Sequence, residues 1–181
     1  MTLFFAVLTP FVGAALVALA SRLGRSHSAW AAGAVTLAAI AWLAPSLHLP
    51  FEGTTLIQQH DWMPALGLNL AFRLDGLALL FAALILGIGL LIVLYARYYL
   101  SERDSMGRFY SYLMLFMGSM LGIVLSENLI QLLIFWELTS LSSFLLISYW
   151  QHREEGRQGA RMALAVTGAG GFAMLGGFLL L

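Results

Sequence analysis

The chain consists mainly of long apolar stretches separated by short polar connections. Within each stretch Leu, Ala, Ile, Phe and Met follow one another without two-residue alternation, which is typical of helices rather than strands. About 20 apolar residues cross the ~30 Å of membrane hydrocarbon, and only helices or closed barrels satisfy their backbone hydrogen bonds there. The pattern therefore predicts six transmembrane helices, near residues 2–20, 29–47, 76–96, 109–126, 129–149 and 161–181.

The polar connection at residues 48–75 has a different pattern. Apolar residues at every second position from Leu66 to Leu74 predict a half-buried strand. The run from Thr54 to Trp62 is also strand-like, and Met63-Pro64-Ala65 is suited to a turn between the two runs. We predict a β-hairpin on the outer face of the helices, with an irregular ordered loop as the alternative.

Arginine is distributed unevenly over the connections. All nine cationic side chains are arginines. If six helices alternate in direction, only Arg73 falls on one side of the membrane. The others share the opposite side: Arg22, Arg25, Arg97, Arg103, Arg108, Arg153, Arg157 and Arg161. The positive-inside rule predicts that this arginine-rich side is cytoplasmic and that the N-terminus is outside.

Composition supports a membrane protein and excludes several functions. Charged residues make up 10% of the chain, against about 25% in soluble domains. The zero net charge gives no sign of nucleic-acid binding, and the absence of Cys excludes disulfides and thiolate metal sites. The four histidines lack metal-ligand spacing, so we predict no metal site and no cofactor. No nucleophile elbow or phosphate loop is present, so an enzyme active site is not expected.

Glu137 is the main candidate functional residue. It is the only side chain that is charged at neutral pH in the apolar stretch from about Asn128 to Trp150. A charge at the centre of a membrane helix costs roughly 2.5–3.5 kcal/mol on insertion scales, so such residues usually handle ions or pair with a buried cation. Burial disfavours the charged form of a carboxyl group unless a cation lies nearby, which makes Glu137 a candidate proton site. The alternative is a structural Glu that pairs with a neighbour and locks helices together.

Ser140 lies on the same side of the fifth helix as Glu137. At about 100° per residue it falls near −60° from Glu137, and Ser148 falls near 20°. Thr139 and Ser142 fall on the opposite side, which we interpret as a packing face. Ser140 is therefore a candidate hydration partner of the carboxylate.

Two acidic residues lie near helix starts on the outer side. We predict that Asp75 caps the third helix, where its charge favours the helix dipole. Glu127 either caps the fifth helix or lies at an outer ion entrance. The dipole argument favours the cap, and the entrance is retained as the functional alternative.

Small residues recur at four-residue spacing in two helices. Gly118 and Gly122 form such a pair in the fourth helix, and Ala163, Thr167 and Gly171 form a series in the sixth. This spacing favours close packing of membrane helices. The alternative is a broken helix that lines an ion path.

The residues from Gly107 to Trp150, GRFYSYLMLFMGSMLGIVLSENLIQLLIFWELTSLSSFLLISYW, resemble the antiporter-like subunits of Mrp-type cation/proton antiporters and of respiratory NADH:quinone oxidoreductase. The resemblance is closest to the large A subunit of Mrp antiporters. Thr139-Ser140 after Glu137-Leu138 and the segments Arg73-Leu74-Asp75-Gly76-Leu77 and Tyr98-Tyr99-Leu100-Ser101 fit that pattern. The similarity extends over essentially the whole chain.

The resemblance implies a role for Glu137. In this family the matching glutamate pairs with a lysine on a later, broken helix, and protonation there is linked to charge movement along a hydrated path. The resemblance also implies an outer β-hairpin after the second helix. This chain contains no Lys and stops at Leu179-Leu180-Leu181 inside an apolar run. We therefore expect an N-terminal fragment or a prematurely terminated product. The partner of Glu137 would come from missing sequence, another subunit or an internal Arg.

The predicted fold is an all-α polytopic membrane protein, the N-terminal part of an antiporter-like inverted-repeat fold. Residues 1–108 form a three-helix region with the outer loop 48–75, and residues 109–181 form the first helices of a truncated translocation repeat.

The predicted function is that of a cation/proton antiporter subunit, not an enzyme, in the bacterial inner membrane. It exchanges cytoplasmic Na⁺ or K⁺ for external H⁺ within a hetero-oligomeric complex. The runner-up is a proton-pumping subunit of NADH:quinone oxidoreductase. The other classes are a polytopic membrane enzyme and a scaffold subunit, and the sequence lacks the paired catalytic residues that the enzyme would need.

Overall fold

The computed structural model describes residues 1–63, 68–102, 104–151 and 153–180. Within them six helices are long and apolar enough to cross a membrane, which agrees with the six predicted spans. They are α1 (Thr2–Ala20), α2 (Arg25–Leu43), α3 (Gly76–Tyr99), α4 (Met106–Leu125), α5 (Leu129–Ile147) and α6 (Glu154–Leu180). The molecule is thus a helical, multi-pass membrane protein.

Two helices extend further than the apolar pattern predicted. α2 begins at Arg25 rather than near residue 29, and α6 begins at Glu154 rather than near residue 161. The apolar stretch marks only the part of a helix that lies in hydrocarbon, whereas hydrogen bonding continues into the polar interface. The first turn of α6 carries Glu154 and Glu155, whose charges suit the positive end of the helix dipole.

The end of α2 differs from the prediction for a local reason. The predicted span continues to residue 47, but the α-helix ends at Leu43 and two 3-10 segments follow, Ala44–Ser46 and Leu49–Glu52. Each segment has a proline in its first positions. Proline lacks a backbone N–H and so ends the α-helical hydrogen bonding.

α4 is the central helix of the bundle. It packs against α1, α2, α3 and α5, and among the described residues none of its large apolar side chains is exposed. Gly118 lies against Phe11 of α1, because a Cβ atom on Gly118 would be 2.8 Å from the Phe11 ring. Gly122 contacts Phe135 of α5 in the same way. The Gly118/Gly122 pair therefore packs α4 closely against two different helices, as the spacing predicted.

The connection between α2 and α3 forms the predicted β-hairpin. Strand β1 (Leu56–Met63) pairs antiparallel with strand β2 (Leu68–Leu74), and the register runs from Leu56 opposite Leu74 to Asp61 opposite Asn69. The register shifts between Asp61 and Met63. Most of the predicted turn Met63-Pro64-Ala65, and the start of the predicted second strand at Leu66, lie outside the described residues.

Strand β1 is attached to the start of α1 through the side chain of Gln58. The backbone N–H of Leu3 donates to Gln58 Oε1 at 3.1 Å, and Gln58 Nε2 donates to the Thr2 hydroxyl at 3.1 Å. No side chain of α1 itself caps the N-terminus of that helix. Gln58 thus satisfies a backbone donor that every helix leaves free in its first turn.

At the opposite end of the bundle, Arg25 joins two connections. Its guanidinium group donates to the carbonyl oxygens of Glu102 and Asp104, both at 2.9 Å, and of Leu100 at 3.2 Å. Trp150 Nε1 donates to Asp104 Oδ1 at 2.9 Å, which joins the α5–α6 connection to the α3–α4 connection. The side-chain hydrogen bonds from Ser101 and Trp150 hold the pKa of Asp104 below its usual value. The three arginine-containing connections therefore lie together at this end, and the hairpin lies at the other.

Candidate functional site

α5 places Glu137 near the middle of a membrane-spanning helix. The helix is capped by Asn128, whose side chain accepts from the backbone N–H of Gln131 at 2.9 Å. Glu137 is the ninth of the 19 residues from Leu129 to Ile147. At about 1.5 Å per residue it lies ~12 Å from one end of α5 and ~15 Å from the other. Its carboxylate is thus at mid-depth of the span, as the apolar pattern predicted.

The carboxylate of Glu137 lies between α5 and α6. It is partly buried, and its oxygen Oε1 contacts Gly171 of α6. A Cβ atom on Gly171 would overlap that oxygen and would lie 3.0 Å from Glu137 Cδ and 3.5 Å from Trp136 Cδ1. The missing side chain of Gly171 therefore makes the space that the carboxylate occupies.

Gly171 was not identified as a site residue from the sequence. Its four-residue spacing from Thr167 and Ala163 indicated helix packing, and the structure confirms a close contact. The partner in that contact is a carboxylate rather than an apolar side chain. The four-residue series was the signal, but spacing alone does not say which residue of the neighbouring helix fills the gap.

The described residues contain no cationic partner for Glu137. The salt bridges among them join Arg73 to Asp75 and Arg73 to Glu127, and neither involves α5. Within residues 1–63, 68–102, 104–151 and 153–180, no hydrogen bond to the Glu137 carboxylate is formed either. The same part of the chain contains no cluster of His, Asp and Glu side chains suited to a metal ion.

Ser140 is buried, 4% exposed, one helical turn beyond Glu137. Its hydroxyl donates to the carbonyl of Trp136 at 3.2 Å and not to the carboxylate. Hydroxyl oxygens can also accept, so Ser140 retains the capacity to bind a water molecule. Its role as a hydration partner remains a prediction. Ser142, on the predicted packing face, is 3% exposed and donates to the carbonyl of Leu138 at 2.8 Å.

Glu127 lies in a charged cluster at the hairpin end of the bundle. Arg73 contacts Glu127 at 3.5 Å and Asp75 at 3.2 Å, and these residues line an open cavity of about 330 Å³. Asp75 caps α3 as predicted, because its Oδ1 accepts from the N–H of Ala78 at 2.8 Å. The favoured capping role of Glu127 is wrong, because Asn128 caps α5 instead. The alternative role of Glu127 at an outer entrance remains a prediction.

Two family models match successive parts of the chain. Residues 62–110 match the model described as NADH-ubiquinone oxidoreductase (complex I), chain 5 N-terminus. Residues 126–181 match the model described as NADH:quinone oxidoreductase/Mrp antiporter, TM. The second match contains Glu137, Ser140 and Gly171.

Curated relatives and a solved structure match almost the whole chain. The A/B subunit of the probable K⁺/H⁺ antiporter of Rhizobium meliloti is 48% identical over 97% of this chain and 18% of the relative. The A subunit of the Na⁺/H⁺ antiporter of Alkalihalophilus pseudofirmus is 46% identical over 99% of this chain and 22% of the relative. The structure of the Mrp complex from Dietzia sp. DQ12-45-1b matches with a TM-score of 0.85 and 34% identity, over 97% of this chain and 19% of that one.

The chain thus spans about a fifth of the length of the relatives that it matches. Those relatives are named as antiporter subunits, which are transporters rather than enzymes. The successive family models, the identities above 40% and the shared helical fold agree with one another. The chain belongs to the antiporter-like family of Mrp antiporter A subunits and NADH:quinone oxidoreductase.

Proposed function

We propose that the chain is part of a monovalent cation/proton antiporter subunit in the bacterial inner membrane. Within a hetero-oligomeric complex it takes part in the exchange of cytoplasmic Na⁺ or K⁺ for external H⁺, driven by the proton gradient. The names of the relatives support antiport, and they differ in the cation, K⁺ in one and Na⁺ in the other.

The contact between Glu137 and Gly171 carries this proposal. A carboxylate held at mid-depth between two membrane helices is costly when charged and unpaired. Binding a proton removes the charge, and pairing with a cation compensates it. The carboxyl group therefore has two favourable states, neutral with a bound proton or ionised beside a cation, and alternation between a proton and a cation is the property that a proton-coupled transporter requires.

The cationic partner of Glu137 belongs to the proposal. The family resemblance implies a lysine, and this chain has none. We place the partner in the part of the relatives' length that this chain does not span, or in another subunit. Ser140 would hold water beside the carboxylate, and Glu127 would lie at the outer entrance.

Replacement of Glu137 by Gln in the full-length subunit tests the proposal. The amide keeps the size of the side chain but neither ionises nor accepts a proton, so Na⁺- or K⁺-dependent proton movement in inverted vesicles should fall to the background level. Glu102→Gln is the matched control, because the exposed side chain of Glu102 lies in the connection between α3 and α4, away from Glu137. Unchanged exchange in a normally assembled Glu137→Gln complex would refute the role of Glu137.

The second candidate is a proton-pumping subunit of a respiratory NADH:quinone oxidoreductase, since both family models name that enzyme. The two functions differ in what drives proton movement. Proton movement that requires NADH and quinone, and is unaffected by Na⁺ or K⁺, would favour the second candidate.

A further inference from the structure

The edge of strand β2 that does not pair with β1 is covered by a side chain of α5. An edge strand leaves backbone N–H and C=O groups without strand partners. Here the N–H of Ala71 donates to Gln131 Oε1 at 2.8 Å, and Gln131 Nε2 donates to the carbonyl of Ala71 at 3.1 Å. Ala71 is 3% exposed and Gln131 is 4% exposed. One side-chain amide thus pairs with both backbone groups, as a neighbouring strand would.

The α4–α5 connection follows the same strand edge. The N–H of Glu127 donates to the carbonyl of Ala71 at 3.0 Å, and Asn128 Nδ2 donates to the carbonyl of Asn69 at 3.0 Å. Ser126 forms an isolated bridge with Phe72. The connection that leads into α5 is therefore attached to the hairpin at three successive residues. Gln131 adds an attachment from within the helix itself.

This attachment extends along α5 towards Glu137. Gln131 precedes Glu137 by six residues, or ~9 Å of helix. Between them, the Phe135 ring lies 6.3 Å from the rings of Phe72 in β2 and Phe11 in α1. Phe135 also contacts Gly122. The strand thus fixes both the depth and the rotation of the first turns of α5.

We infer that Gln131 is a positioning residue, which holds α5 so that the Glu137 carboxylate fits the gap at Gly171. A planar amide that satisfies two backbone groups at once resists rotation of the helix as well as sliding. The carboxylate oxygen occupies the position that a methyl group on residue 171 would take, so a small displacement of α5 changes the surroundings of the carboxylate. This inference rests on the proposed function of Glu137.

Gln131→Glu and Gln131→Leu separate positioning from general stability. A protonated Glu can donate to the Ala71 carbonyl and accept from its N–H, as Gln does, whereas an ionised Glu can only accept. Leu can do neither. Desolvation at this buried position raises the pKa of the introduced carboxyl group, so it carries a proton near about pH 5.5 and is ionised near about pH 8. In the full-length complex, cation-dependent proton movement by Gln131→Glu should therefore approach the wild-type rate near about pH 5.5 and fall about tenfold near about pH 8, the loss expected from one buried hydrogen bond. The rate of Gln131→Leu should be about tenfold below that of the wild type at both pH values.

Dividing the Gln131→Glu rate by the Gln131→Leu rate removes the contribution of other titrating groups, which both variants share. Those on the surrounding elements are Glu127, Arg73, Asp75, His60, Asp61 and the N-terminal amine. Gln59→Glu is the matched control, because Gln59 pairs with the same Ala71 across the hairpin but its side chain is exposed. It should follow the wild-type pH profile.

A wild-type rate in Gln131→Leu, or equal profiles for the two variants, would overturn the inference. If Gln131→Leu does not assemble, Gln131→Glu is purified at about pH 5.5 and tested alone. Its exchange should fall when the pH is raised to about 8 and recover when the pH is returned to about 5.5. Absence of that loss would also overturn it. Glu137→Gln measured in parallel separates the role of Glu137 from that of Gln131. Retained exchange in Glu137→Gln would refute the proposed function of Glu137 but not the attachment of α5 to the hairpin.

Discussion

At the scale of single residues, the site depends on a residue without a side chain. Glu137 occupies the space beside Gly171 of α6. Gly168 and Gly170 differ from Gly171 because a Cβ atom on either would meet nothing within 4 Å. Gly171 therefore tolerates a methyl group much less than Gly168 or Gly170 does.

Gly171→Ala should reduce exchange strongly, whereas Gly170→Ala should not, since only the first methyl group overlaps the Glu137 carboxylate. We expect a loss of about tenfold or more, the size of the coupling seen between residues in direct contact. Cation-dependent proton movement in inverted vesicles measures both variants. Glu137→Asp shortens the side chain and should partly restore exchange in the Gly171→Ala background. Equal rates for Gly170→Ala and Gly171→Ala would contradict the proposed fit.

Charge and hydropathy allowed the mid-span position of Glu137 and the cap at Asp75 to be predicted from the sequence. Gly171 and Gln131 were not recognised, since their roles depend on which elements meet in space. The favoured cap at Glu127 was wrong for a local reason. Asn is a preferred N-cap residue and Glu is not, and the Asn128 side chain accepts from the N–H of Gln131.

At the scale of elements, the hairpin joins helices that are distant in the sequence. β1 is attached to α1 through Gln58, and β2 is attached to α5 through Gln131. The strand pattern allowed the hairpin to be predicted, because alternation of apolar residues needs only local information. Its attachment points were not predictable, because an amide side chain gives no sign in the sequence of which backbone group it will bind.

Gln58→Leu should destabilise the protein, and Gln59→Leu should not. The first change leaves the N–H of Leu3 without a partner and costs about 1 kcal/mol, as for the loss of a helix cap. In a protein of this size that corresponds to a decrease of about 2–4 °C in Tm. Thermal unfolding in detergent, followed by loss of helical circular dichroism, measures the difference. Equal Tm values for the two variants would show that Gln58 does not contribute as a cap.

At the scale of the whole molecule, the two ends of the bundle differ in chemistry. Arg25, Asp104 and Trp150 join the connections at one end, and the hairpin covers the other. The arrangement of the ends agrees with six alternating helices. Orientation in the membrane is a separate matter, because it depends on insertion rather than on packing, and the N-terminus-out orientation remains a prediction from the arginines.

Single cysteines test that orientation, since the chain contains none of its own. Gln59→Cys lies on the exposed side of the hairpin, and Glu155→Cys lies at the exposed start of α6. In intact cells a membrane-impermeant thiol reagent should label the first variant and not the second. Inverted vesicles should give the opposite result. Labelling of Glu155→Cys alone in intact cells would reverse the proposed topology.

The capping of α1 by Gln58 also sets an order of events during synthesis. The cap lies 55 residues after the N–H of Leu3 that it satisfies, beyond the whole of α2. At about 5–20 residues per second, about 3–11 s separate the synthesis of that donor from the synthesis of its acceptor. The capping of α1 is therefore completed only by a strand that is made after α2.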